Sequence, residues 1–179
     1  MVTERRPNME HLKSDSPEIK VVAKWLSQEW GREQGYTLGD TEAWCREVAD
    51  CTNQAAICSK VHGQIVGVSL LVDCDLETEE GYTPWLSSLY VVPTYRGCGV
   101  GSQLIEATVA AALARGHDLL YLYAKIGPLT DYYNSLGWCI SKDLIIITES
   151  YRITGESQDR YFHHAVRHII YKTLGSLMY

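Results

Sequence analysis

Leu89-Tyr90-Val91-Val92-Pro93-Thr94-Tyr95-Arg96-Gly97-Cys98-Gly99-Val100-Gly101-Ser102 is the stretch on which the fold turns. An apolar, strand-forming run stops at Pro93 and passes into glycines at alternate positions, and an alanine-rich helical segment leaves it. Glycines let backbone N–H groups converge where side chains would block the approach, and a helix starting at about Ser102 aims its positive end at the same point. The expected occupant is a phosphorylated ligand.

Outward from the run, Leu104, Ile105, Val109, Ala112 and Leu113 recur at helical spacing, and Gly116 is a C-terminal stop. Residues 118–124 read as a buried strand. Strand, glycine turn, helix and strand form a βαβ unit, so the strands at 85–92 and 118–124 should be parallel neighbours. Residues 128–136 read as a further helix ended by Gly137, with a strand from Trp138 onward. Upstream, residues 55–61 and 65–72 are β-rich runs joined by His62-Gly63-Gln64, an antiparallel hairpin. Before them, a short strand at 9–13 precedes a helix opened by Ser16 as N-cap and Pro17 at its first position, with Ile19, Val22, Ala23, Leu26 and Trp30 on one face. Residues 35–41 break that helix, and 41–50 form a second one. The fold class expected is α/β, a single domain with a mixed, twisted central sheet flanked by helices. Residues 1–8 are a loose N-terminus, 9–150 the domain, and 151–179 an extension completing it as strand, helix or some of each.

At 179 residues the chain fits one domain with a real core. Its net charge of −6 argues against a nucleic-acid binder and suits cationic partners such as amines. The six cysteines lack any Cys-x-x-Cys pair or histidine spacing suited to zinc. His163, His164 and His168 read as surface residues, and no metal is expected. The N-terminus has no apolar signal core, and no run reaches ~18 apolar residues. A soluble, cytoplasmic, thiol-reduced protein without membrane partners is expected, as monomer or homodimer.

Two phosphate motifs fail on spacing. A Walker A loop needs a lysine after its glycines and none follows here. The dinucleotide pattern Gly-x-Gly-x-x-Gly would need a third glycine at Ser102 or Leu104. An oxidoreductase is therefore a weak alternative.

What remains is Arg-x-x-Gly-x-Gly between a Leu-Tyr-Val-Val-Pro strand and an amphipathic helix. With Tyr132-Tyr133-Asn134-Ser135-Leu136-Gly137-Trp138 downstream, the chain resembles the GNAT superfamily of N-acetyltransferases over roughly residues 9–150. An isolated Gly-x-Gly ordinarily marks only a tight turn, but two motifs at this spacing are far more specific. The resemblance implies that the backbone of Leu89, Tyr90 and Val91 pairs with the pantetheine arm of acetyl-coenzyme A. It likewise implies that Arg96, Gly97, Cys98, Gly99, Val100 and Gly101 hold its pyrophosphate, with Ser102 opening the helix. Tyr133 matches the tyrosine that protonates the departing thiolate, and a backbone N–H near Val91 would polarise the thioester if the parallel strands splay there.

The function implied is acetyl transfer to a primary amine of a small molecule or peptide, direct and through a ternary complex. Two departures from the family pattern stand out. Where some members carry a glutamate on the strand before the loop, this chain has Ser87 and Ser88, leaving Glu29, Glu33, Asp73, Asp75 or a water chain as base. Ile126 stands where many relatives have a cofactor-binding asparagine. A non-catalytic acyl-coenzyme A sensing domain is the alternative. Tyr132 reads as a core residue and Cys98 as a variable loop position. The acidic residues between 75 and 80 read as a solvated face able to attract a cation. Trp25, Trp30, Tyr36 and Trp44 suit either an acceptor pocket or the packing of two short helices.

Overall fold

A computed structural model describes residues 7–31, 34–75, 81–124, 128–136, 138–140 and 146–150. The expectations for residues 1–6, for 151–179 with their histidines, and for Glu33 and Ile126 lie outside the described residues.

Strand β1 (Asn8–His11) precedes helix α1 (Glu18–Leu26), which buries Ile19, Val22, Ala23 and Leu26 as its periodicity requires. Its start differs from expectation. Pro17 occupies the cap position and Ser16 donates its hydroxyl to the Glu18 carboxylate, so no side chain caps the helix. Residues Ser27–Gly31 continue as a π-helical turn. Helix α2 (Leu38–Asp50) begins three residues before the expected start, because Thr37 and Asp40 form a reciprocal capping box: Asp40 N–H donates to Thr37 Oγ1 at 3.2 Å and Thr37 N–H to Asp40 at 2.9 Å.

Strands β2 (Ala55–Val61) and β3 (Gln64–Val72) form the hairpin. His62 and Gly63 both have positive φ, 53° and 78°, the hand that matches a two-residue turn to the strand twist. Strand β4 (Trp85–Val91) leads through a short 3-10 turn (Pro93–Tyr95) and the glycine run into α3 (Val100–Ala114). Gly116, at φ 82°, closes that helix: Gly116 N–H bonds Leu113 O and His117 N–H bonds Ala112 O, the paired pattern of a Schellman end. Strand β5 (Leu119–Tyr123), helix α4 (Pro128–Ser135) and strands β6 (Cys139–Ile140) and β7 (Ile146–Ser150) follow.

The sheet runs β1-β2-β3-β4-β5-β7-β6, and β4–β5 is its parallel pair. One face buries Ile57, Leu71 and Leu86 against Leu104, Ile105, Val109 and Ala112 of α3, with Tyr133 and Trp138 at the edge. The other buries Cys58, Val68, Leu70, Trp85 and Tyr121 against α1 and α2. Strand alternation delivers residues to both sides, which is why these runs are nearly continuous apolar segments. The single domain with a mixed sheet between helices is as expected.

Candidate active site

Strand β4 breaks its own regularity at Ser88. Val68 lies opposite Tyr90 and Leu70 opposite Ser87, so two residues of β4, Ser88 and Leu89, face the single Ser69. Ser88 takes φ 52°, left-handed for a residue that is neither glycine nor asparagine. Bulges of this kind bend a strand and raise its twist. On the other edge of β4, the pairing with β5 is confined to Trp85 opposite Tyr121, with Tyr121 N–H bonded to Pro84 O at 3.0 Å. Beyond that point β4 stays with β3 and β5 stays with β7, from Leu119 opposite Ser150 to Tyr123 opposite Ile146. The two parallel strands therefore fork.

Backbone groups line the fork. Val92 N–H donates to Val66 O at 3.0 Å, and antiparallel alternation turns Tyr90 to β3 and Val91 to the opposite edge. The Val91 carbonyl accepts from Arg96 Nε at 2.8 Å, and its N–H faces the fork on the same edge. Leu89, Tyr90 and Val91 are all half-buried.

The glycine run sits at the open end. Gly97 and Gly99 have φ 74° and 80° with no side-chain obstruction near either Cβ position, so backbone hand, not space, demands glycine there. Gly101 is different: a Cβ would lie 3.0 Å from the Tyr132 hydroxyl. Gly99 caps α3, and the first helical bond runs from Gln103 N–H to Gly99 O at 3.1 Å. The N–H groups of Val100, Gly101 and Ser102 thus lack intrahelical acceptors and point out of the helix start. Arg96 is exposed, its guanidinium 5.6 Å from the Tyr90 ring centre, and Cys98 is exposed with Sγ 3.6 Å from Arg96 O.

Helix α4 brings two tyrosines to this end of the sheet. Tyr133 is buried, with ring centres 5.3 Å from Tyr132 and 6.0 Å from Trp138. Burial, and then the neighbouring Tyr132, push its phenol up to about 12, so it carries its proton throughout the neutral range. Tyr132, expected in the core, is half-buried and reaches α3, its hydroxyl 3.2 Å from Ser102 Oγ. Sequence reasoning missed that contact; the signal available for it was Gly101, whose missing side chain makes the room.

On the α1 side, Trp25 stacks on Tyr90 with centres 5.3 Å apart. Trp25, Trp30 and Trp44 are half-buried against the second core, while Tyr36 is exposed. Asp75, from the loop after β3, accepts a 2.5 Å hydrogen bond from Ser87 Oγ, which lies 3.2 Å from Ser88 Oγ. Among the described residues no group of three or more histidine, cysteine, aspartate or glutamate side chains could hold a metal. No described helix is long and apolar enough to cross a membrane.

A mixed α/β sheet forks between its parallel strands, and the N–H groups of a helix start stand at the open end. Residues 19–138 match the model of the Acetyltransferase (GNAT) family, and the chain belongs to that family. No curated protein sequence matches. Among solved structures, an aminoglycoside 6'-N-acetyltransferase complexed with coenzyme A is similar at 15% identity and TM-score 0.65, covering 83% of this chain and 99% of the other. The Salmonella typhimurium protein yncA with its cofactor acetyl-CoA is similar at 15% identity and TM-score 0.65, over 87% of this chain and 99% of that one. AAC(6')-Iy in complex with the bisubstrate analogue CoA-S-monomethyl-acetylneamine is similar at 14% identity and TM-score 0.62, over 86% and 99%. At such identities these likenesses speak to the fold.

Proposed function

We propose that this chain moves the acetyl group of acetyl-coenzyme A directly to a primary amine of a small molecule or peptide, with donor and acceptor bound together. The observation that carries the reading is the fork: β4–β5 pairing ends at Trp85 opposite Tyr121, and the glycine loop waits at the open end. An extended arm lying between the strands would pair with the edge of Leu89–Val91, and its pyrophosphate would meet the N–H groups of residues 97–102 and the positive end of α3. Arg96 would add charge from above Tyr90.

In this reading a backbone N–H near Val91, on the edge of β4 that faces the fork, donates to the thioester oxygen as negative charge develops there. Tyr133 gives its proton to the departing sulfur, a role that its phenol, protonated at every working pH, is suited to fill. A lysine-like amine of pKa ~10.4 is neutral in about one molecule in a thousand or fewer at pH 7, so the acceptor must lose a proton before attack. The acidic balance of the chain favours cationic acceptors. Because one of the similar structures is an aminoglycoside 6'-N-acetyltransferase by name and another holds a bisubstrate analogue carrying acetylneamine, aminoglycosides head the acceptor panel, followed by polyamines, amino acids and peptide N-termini. Cys45, Cys51, Cys58, Cys74 and Cys98 are free thiols, as suits a reducing cytoplasm.

Acetyl-coenzyme A at about 100 times its Kd should stabilise the fold by about 2.7 kcal/mol, which for a domain of this size raises Tm by roughly 5–11 °C. NADH and ATP at equal concentration should do less; a larger shift with NADH overturns the donor assignment. Thiol release over the panel then tests transfer. Binding of acetyl-coenzyme A with silence across every acceptor would instead identify a sensing domain, the reading favoured by the absence of a carboxylate on β4.

A further inference from the structure

We propose that Asp75 is the group that takes the proton from the acceptor amine, held in place by Ser87; this rests on the acetyl-transfer reading above. Strand β4 reads Trp-Leu-Ser-Ser-Leu-Tyr-Val and offers no carboxylate of its own. The fork opens just past Trp85, so Ser87 and the bulged Ser88 stand at its apex. An arm whose phosphates lie at residues 97–102 and whose chain follows Val91 back along β4 brings its reactive end to this apex. At ~3.3 Å per residue, Ser87 lies roughly 13 Å up the strand from Val91.

Alternation puts Ser87 on the face of Trp85, toward α1 and α2, opposite the face covered by α3. That is the side from which an acceptor can reach the apex without crossing the phosphate loop. Asp75 arrives there from the loop after β3, and Ser87 is its one hydrogen-bond partner among the described residues, bonded through Oδ1. Among the described residues nothing bonds the second carboxylate oxygen, which in this reading accepts from the amine. Asp75 as a whole is exposed, which keeps it reachable, while the protein packed around its carboxyl raises its pKa above the ordinary carboxylate range against the lowering effect of the Ser87 bond. Among the described residues, the other carboxylates weighed as a base do not meet this description. Glu29 lies exposed on the π-helical turn and Asp73 is exposed at the end of β3, and neither bonds β4.

The ammonium of the acceptor passes one proton to Asp75, and the freed nitrogen pair forms the C–N bond at the thioester carbonyl. The carbonyl oxygen takes the negative charge against a backbone N–H of β4 on the fork edge, between Val91 and the apex. Collapse breaks the C–S bond, and the thiolate leaves with its electron pair and takes the Tyr133 proton. Tyr133 regains a proton from the new amide nitrogen, and Asp75 releases its own to water. One proton is lost overall, as the conversion of an ammonium and a thioester to an amide and a thiol requires.

The experiment compares wild type, Asp75→Asn, Ser87→Ala and the double variant on two acceptors: the fastest amine of the panel, and its aminooxy counterpart, which is already neutral at pH 7. Asp75→Asn should lower kcat/KM for the amine by about 10²–10⁴-fold, and for the aminooxy compound by less than about tenfold. That ratio is read on one preparation and does not depend on how much of it is folded. Equal losses on both acceptors, or no loss on either, overturn the proposal. Ser87→Ala should lower amine turnover in the wild-type background and add nothing in the Asp75→Asn background; additive losses would remove Ser87. A wild type that transfers acetyl groups while Asp75→Asn keeps full activity refutes Asp75 alone. A wild type that binds acetyl-coenzyme A and acetylates nothing refutes the transfer reading and Asp75 with it.

Discussion

Tyr132 and Tyr133 are chemically identical neighbours that the fold treats in opposite ways. Tyr133 is packed against Trp138 in the core, whereas Tyr132 sends its hydroxyl to Ser102 at the helix start. Removing the Tyr133 hydroxyl by Tyr133→Phe should lower kcat by about 10²-fold or more while leaving the Kd for acetyl-coenzyme A within a few-fold, measured by steady-state kinetics beside calorimetry. Unchanged kcat would take Tyr133 out of the mechanism. Its titration carries a second prediction. The phenol ionises near 10 in the unfolded chain and about 12 in the fold, so between those values the folded state holds more protons. Stability should be level below pH 10 on this account and fall as pH rises toward 12, a decline that urea titrations of Tyr133→Phe should show weakened. At this scale the need for glycine at positions 97 and 99 was legible in the sequence. The role of Gly101 was not, because nothing local says that a hydroxyl thirty residues away needs its space.

Helix α3 lies so close to the sheet that glycine is required beneath it. A Cβ on Gly67 would stand 2.9 Å from Leu104 Cδ1 and 3.0 Å from the Tyr90 carbonyl. Gly67→Ala should therefore cost about 1–3 kcal/mol by overpacking, seen as a lower urea midpoint with an unchanged m-value. A neutral result would mean that α3 can lift from β3. The same interface buries a polar pair, Ser69 Oγ and Thr108 Oγ1 at 2.7 Å, with Thr108 also donating to Leu104 O at 2.8 Å. The hairpin, the face of α1 and the βαβ unit were legible, since period and turn chemistry act within a few residues. The cap of α1 was misjudged because Glu18 engages the Ser16 hydroxyl, and the start of α2 because the Thr37–Asp40 box extends the helix beyond its apolar repeat.

Across the whole molecule, distant segments are tied by charge at the rim. Lys60 of β2 lies 3.0 Å from Glu10 of β1 and 2.9 Å from Glu18 of α1. The Ser16 hydroxyl, and then Lys60, hold the Glu18 carboxyl down at about 2 from its ordinary 4.5. A carboxylate with a depressed pKa contributes stability above its unfolded pKa and loses it as pH falls through the folded one. Stability should thus decline from about pH 4.5 to 2, and Lys60→Met should flatten part of that decline. At neutral pH the variant should cost only about 1 kcal/mol or less, since these side chains remain partly in solvent. A pH profile identical to wild type would mean that the triad is not linked to folding.

The sequence by itself determined what acts over one or two turns of chain: the amphipathic helices, the hairpin, the glycine loop that must adopt left-handed backbone, and the order of elements that makes a βαβ unit. Only the tertiary structure decided where β4 and β5 part, that Asp75 meets Ser87 twelve residues away, and that Tyr132 reaches Ser102 across thirty. The physical reason is that local conformation follows from backbone sterics and periodic burial. The meeting of one carboxylate with one hydroxyl depends on a bulge, a loop path and the packing of two helix layers together, none of which leaves a periodic mark in the chain.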